Sequence, residues 1–376
     1  MKKIVSIVLN NFKNDSRVLK ENISLIRNNY DVKVVALYDD SLDEFELIQN
    51  IPVHRIKLKT RTWSKHKIIQ IIKYLEFIYK FVRLYKSNDI FHCNDLNTLP
   101  IGVIIKFFFN HNAKIVYDAH EYEINVTPNE SAKSIKLKYF LEKFLIKYAN
   151  KVITVSDSIA NEYSKMYNIK KPELVLNTPA YKEIKKKNIF REKLNIKEHQ
   201  TIFLYQGGLS EGRGIEILLE TFKLVDYSDA VIVFMGYGPL ESLIKEASDK
   251  FKNIYFHNAV SPEVLLDFTS SADFGILFYE NNCLNHEFCS PNKVFEYIMA
   301  EIPVIVSNLY EMKRLVEFNK IGIVSKENTI NGLKEAVDTA VILDKKELIL
   351  NIKELKKIYN WEEQEKVLLN VYKELI

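Results

Sequence analysis

The sequence has few of the residues that mark disordered, fibrous or disulfide-stapled proteins. Its 376 residues include 10 glycines, 9 prolines and 3 cysteines, with no C-x-x-C pair. Few glycines and prolines argue against low-complexity linkers, and three cysteines favour a reducing compartment over a disulfide framework. No run of about 18 uninterrupted apolar residues occurs, so the sequence predicts no membrane span. The opening M-K-K-I-V-S-I-V-L-N-N is typical of a first β-strand rather than a signal peptide.

The motifs of several enzyme classes are also missing. The sequence contains no D-x-D carboxylate pair, the usual means of holding a metal-bound diphosphate, and we predict no metal site. It contains neither H-E-x-x-H nor the P-loop G-x-x-x-x-G-K-[ST], which argues against a zinc protease or a P-loop enzyme. Gly208–Gly212 does match the G-x-S-x-G elbow of serine hydrolases. That loop continues to Gly214 before a helix begins, which is too long for a sharp elbow.

Short apolar segments alternate with amphipathic helices through both halves of the chain. This alternation predicts a parallel sheet with crossover helices in each half, and the length favours two domains. A polar, turn-rich stretch at 177–200 separates the halves, so we predict domains at 1–180 and 181–360 and a final helix at 361–376. The predicted strands are 3–10, 31–38, 53–58, 89–93, 114–118, 151–155 and 173–176, then 201–205, 230–235, 253–256, 272–277 and 303–306.

The charge is distributed unevenly. Residues 1–180 carry 28 Lys and Arg against 19 Asp and Glu, whereas 181–376 carry 25 against 30. Two segments concentrate the positive charge among aromatic side chains: 57–86 has nine Lys and Arg, and 133–151 has six Lys. Basic amphipathic helices are typical of binding to an anionic membrane surface, although a core-facing helix with a solvated lysine face gives the same pattern. Without a recognised module, the charge does not indicate nucleic-acid binding.

A glycine-rich turn follows the first predicted strand of the second half. Gln206–Gly214 reads Q-G-G-L-S-E-G-R-G and leads into a helix at about Ile215. Glycines let backbone amides approach a phosphate, the helix start favours an anion, and Arg213 can add a bidentate cation. A simple tight turn would look similar. A second short turn, Gly236–Pro239, follows the next strand.

A second anion-binding pattern begins at Ser290. Ser290 and Pro291 predict a helix start, with Ser290 as the cap. Lys293 and Glu296 then share one face of that helix. A cation beside a helix start suits an anion, and a carboxylate one turn deeper suits sugar hydroxyls. The alternative is an ordinary surface Lys–Glu pair. In the first half, His120 and Glu121 follow a predicted strand end, where open α/β sheets bind ligands.

Taken in order, these motifs resemble those of the family 4 glycosyltransferases of GT-B architecture. The resemblance covers nearly the whole chain. The matching stretches are N-D-S-R-V (14–18), H-C-N-D-L-N-T-L-P (92–100), Y-D-A-H-E (117–121), I-T-V-S (153–156), Y-Q-G-G-L-S-E-G-R-G (205–214), G-Y-G-P-L (236–240), S-P-N-K-V-F-E-Y (290–297) and I-P-V-I-V-S (302–307).

The resemblance implies an α/β fold of two Rossmann-like domains facing each other across a cleft, with the C-terminal helix crossing back to the N-terminal domain. It implies a nucleotide-sugar donor in the C-terminal domain, an acceptor in the N-terminal domain, and metal-free transfer with retention of configuration. We expect no permanently bound cofactor, and a UDP-sugar ahead of a GDP-sugar as the donor.

The resemblance also assigns roles to residues. The catalytic set would be His120, Arg213, Lys293 and Glu296, with Asn11, Asp15, Arg17 and Glu121 on the acceptor side. His120 would approach the donor sugar, Glu296 would bind the ribose, and Val260 would contact the base. The donor-binding set would be Gly207, Gly208, Arg213, Gly236, Gly238, Val260, Ser290, Pro291, Asn292, Lys293 and Glu296.

Two positions depart from the family pattern. Gly208 stands where many members carry an Arg, and Phe288 stands where the first Glu of a paired motif would fall, one residue after Glu287. Diphosphate binding would therefore depend more on Arg213, Lys293 and backbone amides.

We predict a cytoplasmic glycosyltransferase acting on a lipid-linked cell-envelope glycan, peripheral to the inner membrane face through 57–86 and 133–151. The alternatives are a transferase with a soluble or protein-linked acceptor and a non-catalytic nucleotide-sugar-binding subunit of a glycan assembly complex.

Overall fold

The structure, a computed structural model, describes residues 2–225 and 228–375. Met1, at the start of the predicted N-terminal domain, and Ile376, at the end of the predicted final helix, lie outside the described residues. The chain divides into two compact units. Unit 1 comprises Met1–Ile124, Glu130–Val175 and Glu365–Ile376, and unit 2 comprises Asn125–Asn129 and Leu176–Gln364.

Unit 1 is built on an eight-stranded sheet in the order β3-β4-β2-β1-β5-β6-β7-β8. Its neighbouring strands are parallel except β3, which pairs antiparallel with β4. The elements are β1 Lys3–Ile7, α1 Ser16–Arg27, β2 Asp31–Leu37, β3 Phe45–Ile48, β4 Ile51–Ile56, α2 Lys67–Tyr85, β5 Ile90–Asn94, α3 Leu99–Phe108, β6 Lys114–Ala119, α4 Ala132–Leu145, β7 Lys151–Thr154, α5 Asp157–Tyr167 and β8 Glu173–Leu174, with 3₁₀ turns at Glu123–Asn125 and Ile146–Tyr148.

The crossover helices of unit 1 are arranged by the order of the strands. The chain moves from β4 through β5, β6 and β7 across the sheet in one direction, and right-handed crossovers then place α2, α3 and α4 on one face. α2 packs against α3, and α3 packs against α4. The chain passes from β1 to β2 in the opposite direction, which places α1 on the other face.

Unit 2 contains a six-stranded parallel sheet in the order β11-β10-β9-β12-β13-β14. Its elements are α6 Ile189–Leu194, β9 Thr201–Gly208, α7 Ile215–Leu224, β10 Ala230–Tyr237, α8 Glu241–Lys250, β11 Ile254–Asn258, α9 Pro262–Thr269, β12 Phe274–Leu277, α10 Leu284–Phe288, α11 Asn292–Met299, β13 Val304–Val306, α12 Tyr310–Asn319, β14 Gly322–Val324, α13 Ile330–Ile342 and α14 Lys346–Leu355. A last helix, α15 Trp361–Lys373, begins in unit 2 and continues into unit 1.

Both faces of the unit 2 sheet are buried. Along β9, Ile202 and Leu204 belong to one apolar cluster, whereas Phe203 and Tyr205 belong to another. A parallel sheet covered on both sides reads as an almost continuous apolar run, which is the pattern of β9 and β10. The α/β architecture predicted for each half is confirmed. Among the described residues, no helix is long and apolar enough to cross a membrane.

Candidate active site

The glycine turn at the carboxyl end of β9 lets a lysine approach the backbone. Gly207 has a φ of +105°, which side chains disfavour, and a Cβ atom added there would lie 3.3 Å from Cε of Lys293. On the neighbouring strand, a Cβ atom added at Gly236 would lie 1.9 Å from the carbonyl oxygen of Gly207. Glycine at both positions therefore lets two strand ends meet beside a side chain from α11.

Lys293 is a buried cation without a hydrogen-bonded counter-ion. It lies in the first turn of α11 and is 6% exposed. Its Nζ lies 3.8 Å from the ring centre of Tyr205 and 5.6 Å from that of Tyr279. Across the described ranges 2–225 and 228–375, no atom accepts a hydrogen bond from this Nζ. Burial lowers the pKa of Lys293 well below its usual range, and the charge of Arg213 lowers it further.

Arg213 contributes a second cation to the same turn. Its Nη1 donates to the hydroxyl of Tyr279 at 3.2 Å, and its guanidinium carbon lies 5.7 Å from the centre of that ring. A Cβ atom added at Gly208 would meet the same carbon at 4.0 Å. Two cations therefore converge on Tyr279 and on the Gly207–Gly208 turn, a surrounding that suits a multiply charged anion.

Glu296 is held in place one turn beyond Lys293. Its Oε2 accepts a hydrogen bond from Nε2 of Gln206 at 2.5 Å. The Gln206 Oε1 in turn accepts from the hydroxyl of Thr269 at 2.8 Å. This chain connects α11, β9 and α9 and fixes the orientation of the carboxylate, which is what recognition of hydroxyl groups requires.

The prediction that Ser290 caps α11 is wrong. Pro291 is extended, with a ψ of 141°, and occupies the N-cap position, so the helix begins one residue later than Ser290 could reach. The Ser290 hydroxyl instead donates to Oε1 of Glu311 at 3.2 Å. Because Pro291 has no side-chain oxygen, it cannot cap the helix, and the first-turn amides keep their preference for an anion.

The other predicted donor residues lie at the ends of the same elements. Gly238 follows β10, where an added Cβ atom would lie 2.3 Å from the carbonyl oxygen of Leu209. Val260 follows β11 and is half-buried, and Asn292 is the exposed first residue of α11. The carboxyl ends of parallel strands form one edge of a sheet, which is where open α/β sheets bind ligands.

The departure at Phe288 has a structural consequence. Oε1 of Glu287, the neighbouring carboxylate, accepts a hydrogen bond from the backbone amide of Tyr310 at 3.1 Å, at the start of α12. The ring of Phe288 packs against that of Tyr310, with centroids 6.3 Å apart. Glu287 therefore stabilises α12.

Sequence reasoning missed two aromatic residues of this site. Tyr205 lies directly under the Nζ of Lys293, and Tyr279 lies beside Arg213. Tyr205 belongs to the glycine-turn motif, and Tyr279 comes just after β12. Its position at a strand end is the signal that could have found it.

In unit 1, His120 lies at the carboxyl end of β6 among carboxylates. Its Nε2 is 3.3 Å from Oδ2 of Asp118 and 3.2 Å from Oδ1 of Asn94, and its Nδ1 is 3.4 Å from Oδ1 of Asp95. Burial opposes a charge on the ring, but Asp95 and Asp118 outweigh it and raise the pKa of His120 to about 9. With this pKa the ring is protonated at neutral pH and carries an N–H donor on each nitrogen, of which Nε2 lies within hydrogen-bond distance of Asn94.

Behind His120, Arg17 forms a closed ion-pair cluster. Its Nη2 lies 2.7 Å from Oδ1 of Asp118, and its Nε donates to Oδ2 of the same carboxylate at 3.1 Å. Its Nη1 donates to the carbonyl oxygen of Val175 at 2.6 Å, and Glu21 lies 3.1 Å away. Burial would raise the pKa of Asp118, but Arg17, His120 and His92 together outweigh it and hold that pKa well below the usual range.

The same cluster contains the atoms of a conceivable metal site. Glu21, His92 and Asp118 can each offer one ligand atom, all within 4.8 Å of one another. The guanidinium of Arg17 already contacts both carboxylates, and burial raises the pKa of Glu21 to about 8. The positive charge of Arg17 beside these carboxylates opposes binding of a cation, and so does protonation of Glu21. This donor set therefore does not fit a metal ion.

Of the remaining residues predicted on the acceptor side, two make hydrogen bonds within the protein and one is exposed. Asp15 caps α1, because its Oδ1 accepts from the amide of Val18 at 3.2 Å, and its Oδ2 accepts from Asn10 at 2.8 Å. The carbonyl oxygen of Asn11 accepts from Nε of Arg55 at 2.8 Å. Glu121 is exposed immediately after His120.

Comparison with known protein families matches both halves of the chain. A family model described as "Glycosyl transferases group 1" matches residues 186–357, and one described as "Glycosyltransferase Family 4" matches residues 23–177. Together these ranges cover most of the sequence, including the Gly207 turn, Lys293 and His120.

Individual relatives are distant but align along most of their length. An uncharacterized glycosyltransferase of Methanocaldococcus jannaschii is 25% identical over 374 residues, covering 93% of this chain and 91% of the relative. A chitobiosyldiphosphodolichol beta-mannosyltransferase of Candida albicans is 20% identical, covering 82% and 72%. The crystal structure of Anabaena HepE with UDP and glucose superimposes with a TM-score of 0.74 at 13% identity, covering 100% of both chains. The chain belongs to the family 4 glycosyltransferases of the GT-B fold.

Proposed function

We propose that the protein moves a hexose or N-acetylhexosamine from a nucleotide diphosphate sugar to a glycan acceptor, with retention of configuration. The observation that carries the proposal is the buried amino group of Lys293, which lacks a hydrogen-bonded anion beside a glycine turn and an uncapped helix start. A diphosphate would supply that anion and would raise the pKa of the lysine back toward its usual range.

The donor-side residues would act mainly on the leaving group. Arg213 and Lys293 would stabilise the charge that develops on the diphosphate, together with the backbone amides of Gly207 and Gly208. Glu296 would accept hydrogen bonds from the ribose hydroxyls. The lack of a D-x-D pair supports a mechanism in which Arg213 and Lys293, rather than a metal ion, stabilise the charge of the leaving diphosphate.

The reaction we propose is a front-face displacement. The acceptor hydroxyl would form a bond to the anomeric carbon on the face from which the diphosphate departs. As the bond between that carbon and the phosphate oxygen breaks, the departing β-phosphate would take the hydroxyl proton. The protein would then contribute by positioning the substrates and stabilising the diphosphate.

On the acceptor side, we propose that protonated His120 donates a hydrogen bond to the transferred sugar. Glu121 and the loop that carries Asn11 and Asp15 would meet the acceptor. Because Arg17 is taken up by Asp118 and Glu21, we propose that it positions Asp118 and His120 rather than touching the acceptor.

The nearest indications of substrate come from other proteins. HepE is described with UDP and glucose and also with UDP-glucose, so a UDP-sugar is our first candidate donor and a GDP-sugar the second. The Candida albicans relative is named for a dolichol-linked acceptor, which supports a lipid-linked glycan here. For such an acceptor we propose a location at the cytoplasmic face of a membrane. A soluble or protein-linked acceptor is the alternative.

A non-catalytic nucleotide-sugar binder is a second candidate function. It is favoured by the two departures from the family pattern, Gly208 and Phe288, and by the commitment of Glu287 to α12. Such a protein would bind a donor yet show neither transfer nor slow hydrolysis of the donor.

The first test is a thermal-shift screen with UDP, GDP, ADP, CMP and their common sugar conjugates. A ligand at about 100 times its Kd should stabilise the protein by roughly 2.7 kcal/mol, which is readily seen as a rise in Tm. The matched variants are Lys293→Met, which should lose the shift, and Lys346→Met, whose lysine is 88% exposed and which should keep it. No response of the wild type to any nucleotide would overturn the proposal.

Once a donor is known, hydrolysis and transfer separate the two candidate functions. We expect Arg213→Ala or Glu296→Ala to lower the rate about tenfold or more, as for losing a charge-stabilising or positioning group. Wild-type rates in both variants would contradict the site assignment. Donor binding without any turnover would favour the non-catalytic binder.

A further inference from the structure

The outer face of α4 carries an apolar stripe that no described residue of unit 1 covers. Leu137, Phe140, Leu141 and Phe144 are 71%, 54%, 42% and 54% exposed. Their spacing of three, four and seven residues places them on one side of the helix. The helix attaches to the unit through its other side, where Glu142 and Leu145 are buried. α4 therefore packs against unit 1 through one face and exposes the apolar stripe on the opposite face.

The end of α3 extends this stripe with further aromatic side chains. Phe107 and Phe108 are 44% and 75% exposed. The ring of Phe107 packs edge-on against Tyr148, with centroids 4.7 Å apart, and Phe144 packs against the same tyrosine at 5.6 Å. We call this continuous surface the α3–α4 face, defined by Phe107, Phe108, Leu137, Phe140, Leu141, Phe144 and Tyr148.

Lysines border the α3–α4 face along one side. Lys136, Lys143 and Lys147 recur at helical spacing beside the stripe, and Lys147 lies over the ring of Phe144 at 5.2 Å. The segment 132–148 contains one carboxylate, Glu142. That carboxylate is buried and accepts hydrogen bonds from the hydroxyls of Tyr117 and Tyr167. The exposed surface of α4 is therefore apolar and basic.

The first half of α2 adds a second exposed apolar patch on the same side of the sheet. Ile68, Ile71 and Leu75 are 62%, 58% and 56% exposed, and α2, α3 and α4 are consecutive neighbours. The one acid of 57–86, Glu76, is engaged by Lys80 and by the Thr60 hydroxyl. Here too the exposed charge is positive.

We propose that the α3–α4 face docks on an anionic lipid bilayer, with its aromatic side chains at the headgroup–acyl boundary and its lysines at the headgroups. Both halves of the pattern fit this occupant, because interfacial helices combine a buried apolar face with a basic border. A second copy of the chain would fit poorly, since it would bring the same lysines against one another. The inference stands on this surface alone and does not require the proposed reaction.

The test is co-sedimentation of the full chain with vesicles of phosphatidylcholine alone or with phosphatidylglycerol added. We expect binding to the mixed vesicles, weakened but not abolished by high salt, because salt screens the lysines and leaves the apolar contact. Phe140→Ser with Phe144→Ser should weaken binding about tenfold or more at either salt concentration. Lys136→Glu, Lys143→Glu and Lys147→Glu together should remove the preference for anionic vesicles.

A matched control uses apolar residues that are at least as exposed elsewhere. Phe318 and Ile342, in unit 2, are 83% and 85% exposed. Phe318→Ser with Ile342→Ser should bind vesicles like the wild type. A direct readout of insertion is Phe144→Trp, whose fluorescence should be quenched by brominated lipid.

Several results would overturn the proposal. One is a failure of the wild type to sediment with mixed vesicles at low salt, and another is an equal loss of binding in the control pair and in the Phe140 and Phe144 pair. A dimer in solution that Phe140→Ser with Phe144→Ser dissolves would assign the face to a second copy instead. The Tm of each variant verifies folding, and its thermal shift with the nucleotide donor reports the proposed function separately.

Discussion

Each unit buries a cation at the edge of its sheet, and the two cations are accommodated in opposite ways. In unit 1, Arg17 contacts Asp118 and Glu21, so its charge is matched within the protein. In unit 2, Lys293 is equally buried but has no hydrogen-bonded anion among the described residues. A matched charge stabilises the fold, whereas an unmatched one costs stability until a ligand supplies the counter-charge. From this contrast we propose a structural role for Arg17 and a ligand-binding role for Lys293.

The largest expected effect comes from removing Arg17, the buried cation that contacts carboxylates. Arg17→Met leaves Asp118 buried without its main partner and should lower the free energy of unfolding by about 3–5 kcal/mol. Urea denaturation followed by circular dichroism measures it. The control is Arg27→Met, at the exposed end of α1, which should change stability by less than about 0.5 kcal/mol. Equal stability of the two variants would contradict the structural role of Arg17.

Replacing Lys293 by methionine should change the free energy of unfolding in the opposite direction. Lys293→Met removes a buried cation that has no hydrogen-bonded anion among the described residues, and it should stabilise the free protein by about 1–2 kcal/mol. It should also weaken binding of the nucleotide diphosphate about tenfold or more, since a charge-assisted contact is lost. Thermal unfolding without and with ligand measures both effects. A destabilised variant would contradict this prediction, because it would show that the folded protein stabilises the charge of Lys293 without a ligand.

The two sides should also respond to pH in opposite directions. Burial raises the pKa of Glu21 from 4.5 to about 8, so the folded protein retains a proton that the unfolded chain loses. The contribution of Glu21 to stability is complete below about pH 4.5 and is lost as the pH rises toward about 8. For Lys293 the folded pKa is lowered, so the folded protein is the first to lose the proton, and stability rises with pH toward 10.5.

The Glu21 half of this prediction is measurable with one variant. Glu21→Gln mimics the protonated carboxyl, so its Tm should match the wild type near pH 5 and exceed it increasingly up to about pH 8. Glu173→Gln, a half-buried residue of β8, serves as the control and should show no such trend. A constant difference between wild type and Glu21→Gln would show that Glu21 does not titrate between those limits.

The smallest effect concerns the charge of His120. With a pKa of about 9, His120 loses its proton above that pH, so turnover of the donor should fall on the alkaline side. Asp95→Asn removes one of the carboxylates that favour the protonated ring and should lower the pH at which turnover falls by roughly one unit. Asp89→Asn, at an exposed carboxylate, should leave that pH unchanged. An unchanged pH dependence in Asp95→Asn would show that the fall in turnover does not come from His120.

The sequence predicted the alternation of strands and helices better than the edges of the sheets. The buried strands were visible because both of their faces are apolar, which produces continuous runs. The edge strand β3 was missed because its residues F-E-L-I are only half covered and its hairpin turn is Gln49–Asn50. Both residues have positive φ, 48° and 69°, a conformation more often marked by Asn-Gly.

Site residues that depend on local spacing were easier to find than those that depend on distant contacts. Lys293 and Glu296 are three residues apart on one helix, so their shared face followed from helical geometry. Arg17 and Asp118 are 101 residues apart, and only the sheet order brings α1 and β6 together. Arg17 was therefore assigned to the acceptor side from its motif alone, without any sign that a carboxylate engages it.

The composition of unit 1 has a consequence for how the chain is made. Tyr372 in α15 is fully buried, and its hydroxyl lies 2.6 Å from Nδ1 of His92 on β5. Leu368 and Val371 on the same helix are also buried. Unit 1 thus needs residues of α15, which follow all of unit 2 in the sequence. During synthesis unit 1 can be completed only after the ribosome has made unit 2, although most of its own residues are made earlier.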